Sequence, residues 1–427
     1  MTDPNARATA LDELRWRGLV AISTDEAALA EAFAAGPVTY YDGFDPTAPS
    51  LHMGHLVQVL TMRRLQDAGH RPIALVGGAT GLIGDPKPTA ERTLNDRDVV
   101  AGWVDRLRGQ IAPFLDFDGP NPARMVNNLE WTAPLSAIDF LRDLGKHFRV
   151  NRMLAKEAVS ARLNSEAGIS YTEFSYQMLQ ALDFLELYRR FGCTLQVGGS
   201  DQWGNLTAGT DLIHRVEGAG VHALATPLLT KADGTKFGKT EGGAIWLDPE
   251  MTSPYAFFQF WLNAEDAKVG EYLKVFTFRE RGEIEELVQA TQDKPQAREA
   301  QRALATDVTT LVHGADATQR VTQASQALFG RGDLAGLDER TLTDAVKELT
   351  MITVPRQEHV VAELLAGTGL VASRSAGRRA IGEGGAYVNN AKVDAEDAVV
   401  GTSDLLHDRW VLLRRGRRSL AAVRFAD

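Results

Sequence analysis

The sequence predicts an α/β protein. A Rossmann-like parallel-sheet domain comes first, an α-helical domain follows, and a small α+β domain closes the chain. Three observations carry this reading. Short apolar runs ending in glycine-rich loops alternate with helical stretches through the first 250 residues. Glycine then thins out, and helical periodicity dominates from Ser253 to about Leu349. The last part combines two helix signals with a hairpin signal. The expected boundaries are 1–250, 251–350 and 354–427.

Pro37 to Tyr41 reads as a buried strand, and the Gly/Pro/Asp-rich stretch Asp42 to Ser50 as a loop. A helix is expected from His52–His55 to about Ala68, with Gly69 as its stop. The strand Ile73 to Val76 and the loop Gly77 to Pro88 follow. Tyr171 to Phe191 has one apolar face, Phe174, Met178, Ala181, Leu185 and Tyr188, at 4-3-4-3 spacing, which predicts a long helix. Leu195 to Val197 reads as a strand ending at Gly198-Gly199, with Ser200 or Asp201 capping the next helix. Met351 to Pro355 resembles a linker, and helices are expected at Glu358–Leu365 and Ser373–Ile381. Ala386–Val388 and Lys392-Val393 flank an Asn389-Asn390 turn.

The 427 residues are 44% hydrophobic and 24% charged, which supports a packed core and argues against extensive disorder. The single cysteine, Cys193, excludes an intrachain disulfide and a cysteine-held zinc, so no metal site is expected. It also fits a reducing compartment, as does an N-terminus without an apolar run, so a cytoplasmic location is expected. No uncharged stretch is long enough to span a bilayer. Net charge is −10, yet Met351 to Asp427 carries eleven basic against nine acidic residues. Contact with nucleic acid must therefore use local basic patches, the densest being Arg414, Arg415, Arg417 and Arg418.

Five constellations point to chemistry. His52-Met53-Gly54-His55 places two imidazoles at a helix start, where free N–H groups attract anions, and Gly54 lets a flat base approach. Lys236-Phe237-Gly238-Lys239-Thr240 puts two ammonium groups on a glycine-containing loop that can close over a polyphosphate. Tyr176, Gln180 and Asp183 form a polar stripe opposite the apolar face of the long helix, better suited to a pocket lining than to an exterior. Gly77 to Asp85 follows a strand without matching a dinucleotide fingerprint, and Asp85 could pair with an ammonium group. Asp201, in Gln196 to Asn205, lies beyond a strand end, where a carboxylate suits ribose hydroxyls.

Together with Tyr41-Asp42-Gly43-Phe44-Asp45-Pro46-Thr47, these strings resemble the bacterial tyrosyl-tRNA synthetases, which are class I aminoacyl-tRNA synthetases, over essentially the whole chain. The resemblance implies that L-tyrosine and ATP, with Mg2+, form tyrosyl-adenylate and pyrophosphate, and that tyrosine passes to the 3′ end of tRNA(Tyr). It places Tyr41 and Asp183 on the substrate phenol, Tyr176, Gln180 and Asp85 on the ammonium group, Gln202 near the carboxylate and Gln196 in support. It assigns Gly43, Asp45, Thr47, His52, Gly54, His55, Gly199, Asp201, Lys236, Lys239 and Thr240 to ATP, with Thr47, His52, His55, Lys236 and Lys239 acting in catalysis. Two departures stand out. Asp42 replaces the small or thiol residue usual after the first tyrosine, and the loop after Asp85 is shortened, leaving Lys87 and Arg92 as candidate phosphate cations.

The C-terminal segment resembles the small RNA-binding domain first described in a ribosomal protein (S-four type). The resemblance rests on Leu370 to Arg379 and Gly384 to Asn389. Arg374 and Arg378 share a helix face and, with Arg379, Arg414 and Arg415, are the expected tRNA contacts. The family implies a homodimer. The alternatives are a tryptophan ligase, an adenylyltransferase without tRNA, or a non-catalytic RNA-binding relative. The Tyr41/Asp183 pair favours a phenol over an indole.

Overall fold

The computed structural model describes residues 4–87, 92–166, 168–240, 243–330, 332–416 and 419–426. Two compact units result, one of residues 1–248 and 265–295, the other of residues 249–264 and 296–427.

The first unit is built on a six-stranded sheet. Its strands are β1 (Ile22–Ser23), β2 (Thr39–Phe44), β3 (Arg71–Val76), β4 (Arg124–Asn127), β5 (Cys193–Gly199) and β6 (His222–Thr226), in the spatial order β1-β6-β5-β2-β3-β4. All pairings are parallel except the edge pair β1/β6. Chain order reverses between β2 and β5, so their carboxyl ends open the crevice where such sheets take ligands. Strand β2 runs on through Asp42, Gly43 and Phe44, which the sequence reading leaves in a loop; pairing with β3 up to Phe44↔Val76 holds the glycine in register.

Alternation along β2 serves both faces. Tyr41 joins Ile73, Leu75, Met178, Ala181, Leu182 and Phe184 in one core cluster, whereas the Tyr40 hydroxyl donates to the Met62 carbonyl of the helix Met53–Asp67 on the other face. The helix Tyr171–Phe191 has the bounds its periodicity predicts. Ser170 caps it by accepting from the Glu173 N–H, and Gly192 ends it at φ 63°. Residues 265–295, which the sequence reading groups with the helical segment, pack with the sheet unit. There Arg64 and Arg17 donate to the Thr277 carbonyl at 2.7 and 2.9 Å, at the end of the helix Val269–Phe276.

In the second unit, the helices Pro254–Leu262, Glu299–His313 and Ala315–Leu328 pack together around the buried Trp261. Its five-stranded sheet runs Ala391–Lys392, Ala386–Val388, Trp410–Arg415, Ser419–Ala426, Thr350–Pro355. The expected linker is thus an edge strand, parallel to Ser419–Ala426 from Thr350↔Ala421 to Pro355↔Ala426. Its pairing partner lies about seventy residues ahead, so no local signal announces it. The first expected helix starts later, at Val361, after a short strand His359–Val360. The Asn389-Asn390 turn has φ of 47° and 68°, as the hairpin reading requires. Gly377 lets the helix Arg374–Gly382 cross the helix Val361–Gly367 closely, since a Cβ there would lie 2.7 Å from the Ala362 carbonyl oxygen.

His70 couples the first unit's stability to pH. The ring is fully buried, its Nδ1 accepts from the Val38 N–H at 3.2 Å, and it lies 4.1 Å from the Phe33 ring. Burial, helped by the charge of Arg7, pulls its pKa down to about 4. Below pH 6.5 the unfolded imidazole takes up a proton that the folded one refuses. Stability therefore falls as pH drops from about 6.5 to 4, by about 3 kcal/mol at most from this group. Urea midpoints should fall more steeply in that window for the wild type than for His70→Gln; equal slopes would show that His70 does not titrate on unfolding.

Candidate functional site

The crevice between β2 and β5 holds a cavity of about 370 Å3. Its wall brings together nearly every sequence-predicted small-molecule residue: Tyr41, Gly43, Asp45, Thr47, His52, Gly54, His55, Asp85, Tyr176, Gln180, Asp183, Gln196, Gly199, Asp201 and Gln202. The stripe on the helix Tyr171–Phe191 faces inward: Tyr176 is 5% and Asp183 2% exposed. Asp42 and Arg92 also line the wall.

At the apolar end, Asp183 accepts from Trp131 Nε1 at 2.8 Å and Asn128 Nδ2 at 3.0 Å. Burial nonetheless pushes its carboxyl up to about 8, against those two donors. The Tyr41 hydroxyl beside it, and Gln196 Oε1 on the strand paired with Tyr41, are buried polar atoms with no hydrogen-bond partner. Burial raises the Tyr41 phenol well above its ordinary range, and the charge of Asp183 adds to this. A buried polar atom left unpaired costs free energy, so a ligand hydroxyl here would satisfy groups that the fold leaves open.

Further out, Asp45 accepts from Thr80 Oγ1 at 2.5 Å and from the Tyr176 hydroxyl at 2.6 Å; desolvation pushes its carboxyl up to about 6. Asp85 accepts from Gln202 Nε2 at 3.2 Å and Asn205 Nδ2 at 3.1 Å. Asn205 in turn accepts from Lys156, whose ammonium burial lowers to about 8. Arg92 Nε donates to the Asp85 carbonyl at 2.6 Å. Asp42 is 3% exposed, its Oδ2 has no partner, and burial drives its carboxyl well above the usual range.

His52 caps the helix Met53–Asp67. Its Nδ1 accepts from the Gly54 N–H at 3.0 Å, while His55 Nδ1 accepts from the His52 N–H at 3.2 Å. The rings stack with centroids 3.9 Å apart. Accepting at Nδ1 leaves the proton of each neutral ring on Nε2, as a donor. Desolvation first, and then the neighbouring His52, hold His55 well below its ordinary pKa. Neutral donors, rather than two cations, are what this helix start offers.

The lysine loop joins the same region. His52 pairs with Trp246 in a bridge, Met53 N–H donates to the Ile245 carbonyl at 3.2 Å, and Ile245 N–H to the Gly238 carbonyl at 3.0 Å. Phe237 lies 4.5 Å from the Tyr272 ring and 5.5 Å from that of Phe276. Lys236 is exposed and is not among the lining residues. Lys239 and Thr240 form a short strand whose side chains lie outside the described residues.

Asp201 and Ser200 do not cap the next helix. Ser200–Gln202 is a 3-10 turn, and the helix Trp203–Glu217 starts after Gln202 with no side-chain cap, which leaves the exposed Asp201 carboxylate to the cleft. Gly77 to Pro88 is not all loop, because Thr80–Ile83 forms a helical turn that supplies Thr80. Asp42 is not a loop residue. Asn128, Trp131, Thr80 and Asn205 are neighbours of the site that the sequence reading omits; for Asn205 the signal was its place three residues after Gln202, the N-cap of its helix. Of the expected RNA contacts, Arg374 pairs with Glu363 at 2.7 Å, Arg378 and Arg379 are exposed, and Arg414 lies 3.8 Å over the Tyr387 ring. Arg415 donates to the Leu370 carbonyl at 3.0 Å. Arg417 and Arg418 lie outside the described residues. Among the described residues no group of three His, Cys, Asp or Glu could hold a metal ion, and no helix is long and apolar enough to cross a membrane.

The family model for "tRNA synthetases class I (W and Y)" matches residues 34–330, and the chain belongs to that family. Residues 341–423 match a second model, the "Tyrosine--tRNA ligase SYY-like C-terminal domain". The chain is 70% identical over 414 residues to the tyrosine–tRNA ligase of Streptomyces avermitilis, covering 97% of this chain and 98% of the relative. It is 69% identical to that of Streptomyces coelicolor, with the same coverage. Among solved structures, a C-terminally truncated Coccidioides posadasii mitochondrial tyrosyl-tRNA synthetase is similar at TM-score 0.67 and 30% identity, over 75% of this chain and 95% of that one.

Gly77 leaves less room for a Cβ than any other described glycine. A Cβ there would lie 2.0 Å from Asp45 Oδ1 and 2.3 Å from Thr80 Oγ1. Gly77→Ala is expected to displace Asp45 and to lower amino-acid-dependent pyrophosphate exchange by about 100-fold, while thermal unfolding shows the fold retained. Undiminished exchange would mean that Asp45 is not held for the reaction.

Proposed function

We infer that the chain is a tyrosine–tRNA ligase: it activates L-tyrosine with ATP to tyrosyl-adenylate and pyrophosphate and transfers the tyrosyl group to tRNA(Tyr). The observation that carries this reading is a single cavity lined both by the buried Tyr41 and Asp183 and by the stacked His52/His55 pair. A tryptophan ligase has no use for two groups that suit a phenol, and a non-catalytic relative no use for the histidine pair.

The chemistry needs positioning more than proton transfer. The substrate carboxylate is already a nucleophile, so the site's task is alignment and stabilisation of charge growing on the α-phosphate and pyrophosphate. In this reading Asp183 accepts the substrate O–H and Tyr41 supplies the second partner, with Gln196 behind. Phenylalanine would leave these buried groups unpaired, which disfavours it. Tyr176, Gln180 and Asp85 take the ammonium group, and Gln202 lies near the carboxylate. His52 and His55 donate from Nε2 to phosphate oxygens. Gly43, Asp45, Thr47, Gly54 and Gly199 shape the nucleotide side, and Asp201 takes the ribose. Lys236 and Lys239, with Thr240, close over the pyrophosphate, and Arg92 supplies a further cation. Mg2+ enters with ATP, as part of the substrate.

The three-part division at 250 and 350 is kept as a functional one, the last part contacting tRNA through Arg374, Arg378 and Arg379. Arg414 and Arg415 contribute from the neighbouring strand. A homodimer is proposed as well. The exposed Leu135, Ile138, Leu141, Val150 and Tyr171 give the first unit an apolar surface that a second copy would cover. A cytoplasmic location fits an ATP-dependent step of protein synthesis.

Pyrophosphate exchange across the twenty amino acids should respond to tyrosine alone. Asp183→Asn should lower tyrosine-dependent exchange by about 10- to 100-fold with the fold intact; unchanged exchange would remove the pocket assignment. Deletion from Thr350 onward, which also removes the edge strand, should spare adenylate formation and abolish most tRNA charging. Normal charging would refute RNA contact by the small domain.

A further inference from the structure

Glu173 extends the polar stripe of the long helix by one turn, giving Glu173, Tyr176, Gln180 and Asp183 at 3-4-3 spacing. Its carboxylate is buried and pairs with the equally buried Arg162 at 2.8 Å, their side chains 2% and 1% exposed. The other carboxylate oxygen accepts the Arg92 backbone N–H at 2.6 Å. Arg162 Nη1 also reaches the Lys87 carbonyl at 3.3 Å, and its Nε donates to the Gly168 carbonyl at 3.0 Å. One ion pair thus holds Lys87 on one side and Arg92 on the other. Arg92 Nε closes back on the Asp85 carbonyl at 2.6 Å, and its guanidinium lines the cleft beside Asp45.

A buried ion pair is a weak source of stability, because desolvation offsets most of the attraction. Its value here is geometric. The guanidinium fork and the two carboxylate oxygens are used in different directions, and together they tie the helix Glu157–Leu163, the helix Tyr171–Phe191 and the main chain at Lys87 and Arg92. The pair touches neither Tyr41 nor Asp183, whose anchors are Asn128 and Trp131.

We propose that Arg162 and Glu173 are positioning residues for adenylate formation, holding the main chain at Lys87 and Arg92 so that the Arg92 guanidinium faces the polyphosphate of ATP. The inference rests on the nucleotide reading of that end of the cleft. It separates two readouts: the step that uses ATP depends on the pair, and tyrosine affinity does not.

The test uses the full-length protein and four variants. Arg162→Met/Glu173→Leu removes both charges without stranding either, Arg92→Ala removes the guanidinium, a triple variant combines them, and Glu173→Gln is the variant safest for folding. Urea midpoint, tyrosine Kd, ATP KM and single-turnover adenylate rate are measured for each. The double variant should keep tyrosine Kd within twofold and lose at least tenfold in adenylate rate, with a raised ATP KM. Arg92→Ala should lose a similar factor, and the triple variant at most threefold more. Glu173→Gln should lose threefold or more in rate at unchanged tyrosine Kd, and it carries the test if the double variant does not fold. A wild-type rate in the double variant, losses that multiply with Arg92→Ala, or a parallel loss of tyrosine affinity would overturn the proposal. Failure of the ligase reading looks different, as absence of tyrosine-dependent exchange in the wild type.

Discussion

Carboxyl groups held out of water in one crevice impose the constraint on which this site depends. Asp42, Asp45 and Asp183 are all pushed above the usual carboxylate range by desolvation. Asp45 and Asp183 are held by donors that come from three separate stretches of the chain. Thr80 comes from the turn after β3, Asn128 and Trp131 from the chain just past β4, and Tyr176 from the long helix. Satisfying the acids therefore fixes the relative placement of strand ends and helices. The geometry that would grip a substrate is the geometry that solves the desolvation problem, which is why Gly77 has no room for a methyl group beside Asp45.

Much of this was legible in the sequence, and the boundary follows the range of the interactions. The helix Tyr171–Phe191 could be read to the residue because its apolar period is long and its ends carry a serine cap and a left-handed glycine. The Asn389-Asn390 hairpin was legible for the same local reason. The edge strand Thr350–Pro355 was not, since only its distant parallel partner makes it a strand. In the site, spacing disclosed Tyr176, Gln180 and Asp183. It could equally have disclosed Glu173, one turn earlier, but nothing local marks Arg162 as its partner. Asn128 and Trp131 were hidden because they act from a different segment, brought over Asp183 by the sheet.

The histidine pair sits at a helix start, as its spacing suggests, and folding lowers the proton affinity of His55. Two imidazoles at a helix start suggest attraction of an anion by positive charge. In the folded protein both Nδ1 atoms are used by backbone N–H groups, and desolvation keeps His55 neutral. The helix start then contributes oriented Nε2–H donors, while formal positive charge has to come from side chains such as Arg92 and the loop lysines. This division has a physical rationale. Neutral donors can sit in the wall without a desolvation penalty for charge, whereas an ammonium group on a loop stays solvated until it is needed. The loop nonetheless starts in register with the histidines, through the His52–Trp246 bridge and the Gly238–Ile245–Met53 hydrogen bonds.

The same economy divides the arginines of the small domain. Arg414 stacks on Tyr387, directly across the sheet from it, and Arg415 holds the Leu370 carbonyl, so both are also held by contacts within the domain. Arg374 is partly neutralised by Glu363, whereas Arg378 and Arg379 are exposed on the same short helix. On a chain of net charge −10, the tRNA contact proposed for this surface gains little from the long-range field of the whole chain. Binding must rest on short-range contacts to phosphates, screened within about 10 Å at ordinary ionic strength. In the proposed reading, short-range contact of this kind favours a compact helix face over a diffuse basic patch, and at Gly377 that helix packs closely on its neighbour, with a Cβ there only 2.7 Å from the Ala362 carbonyl oxygen.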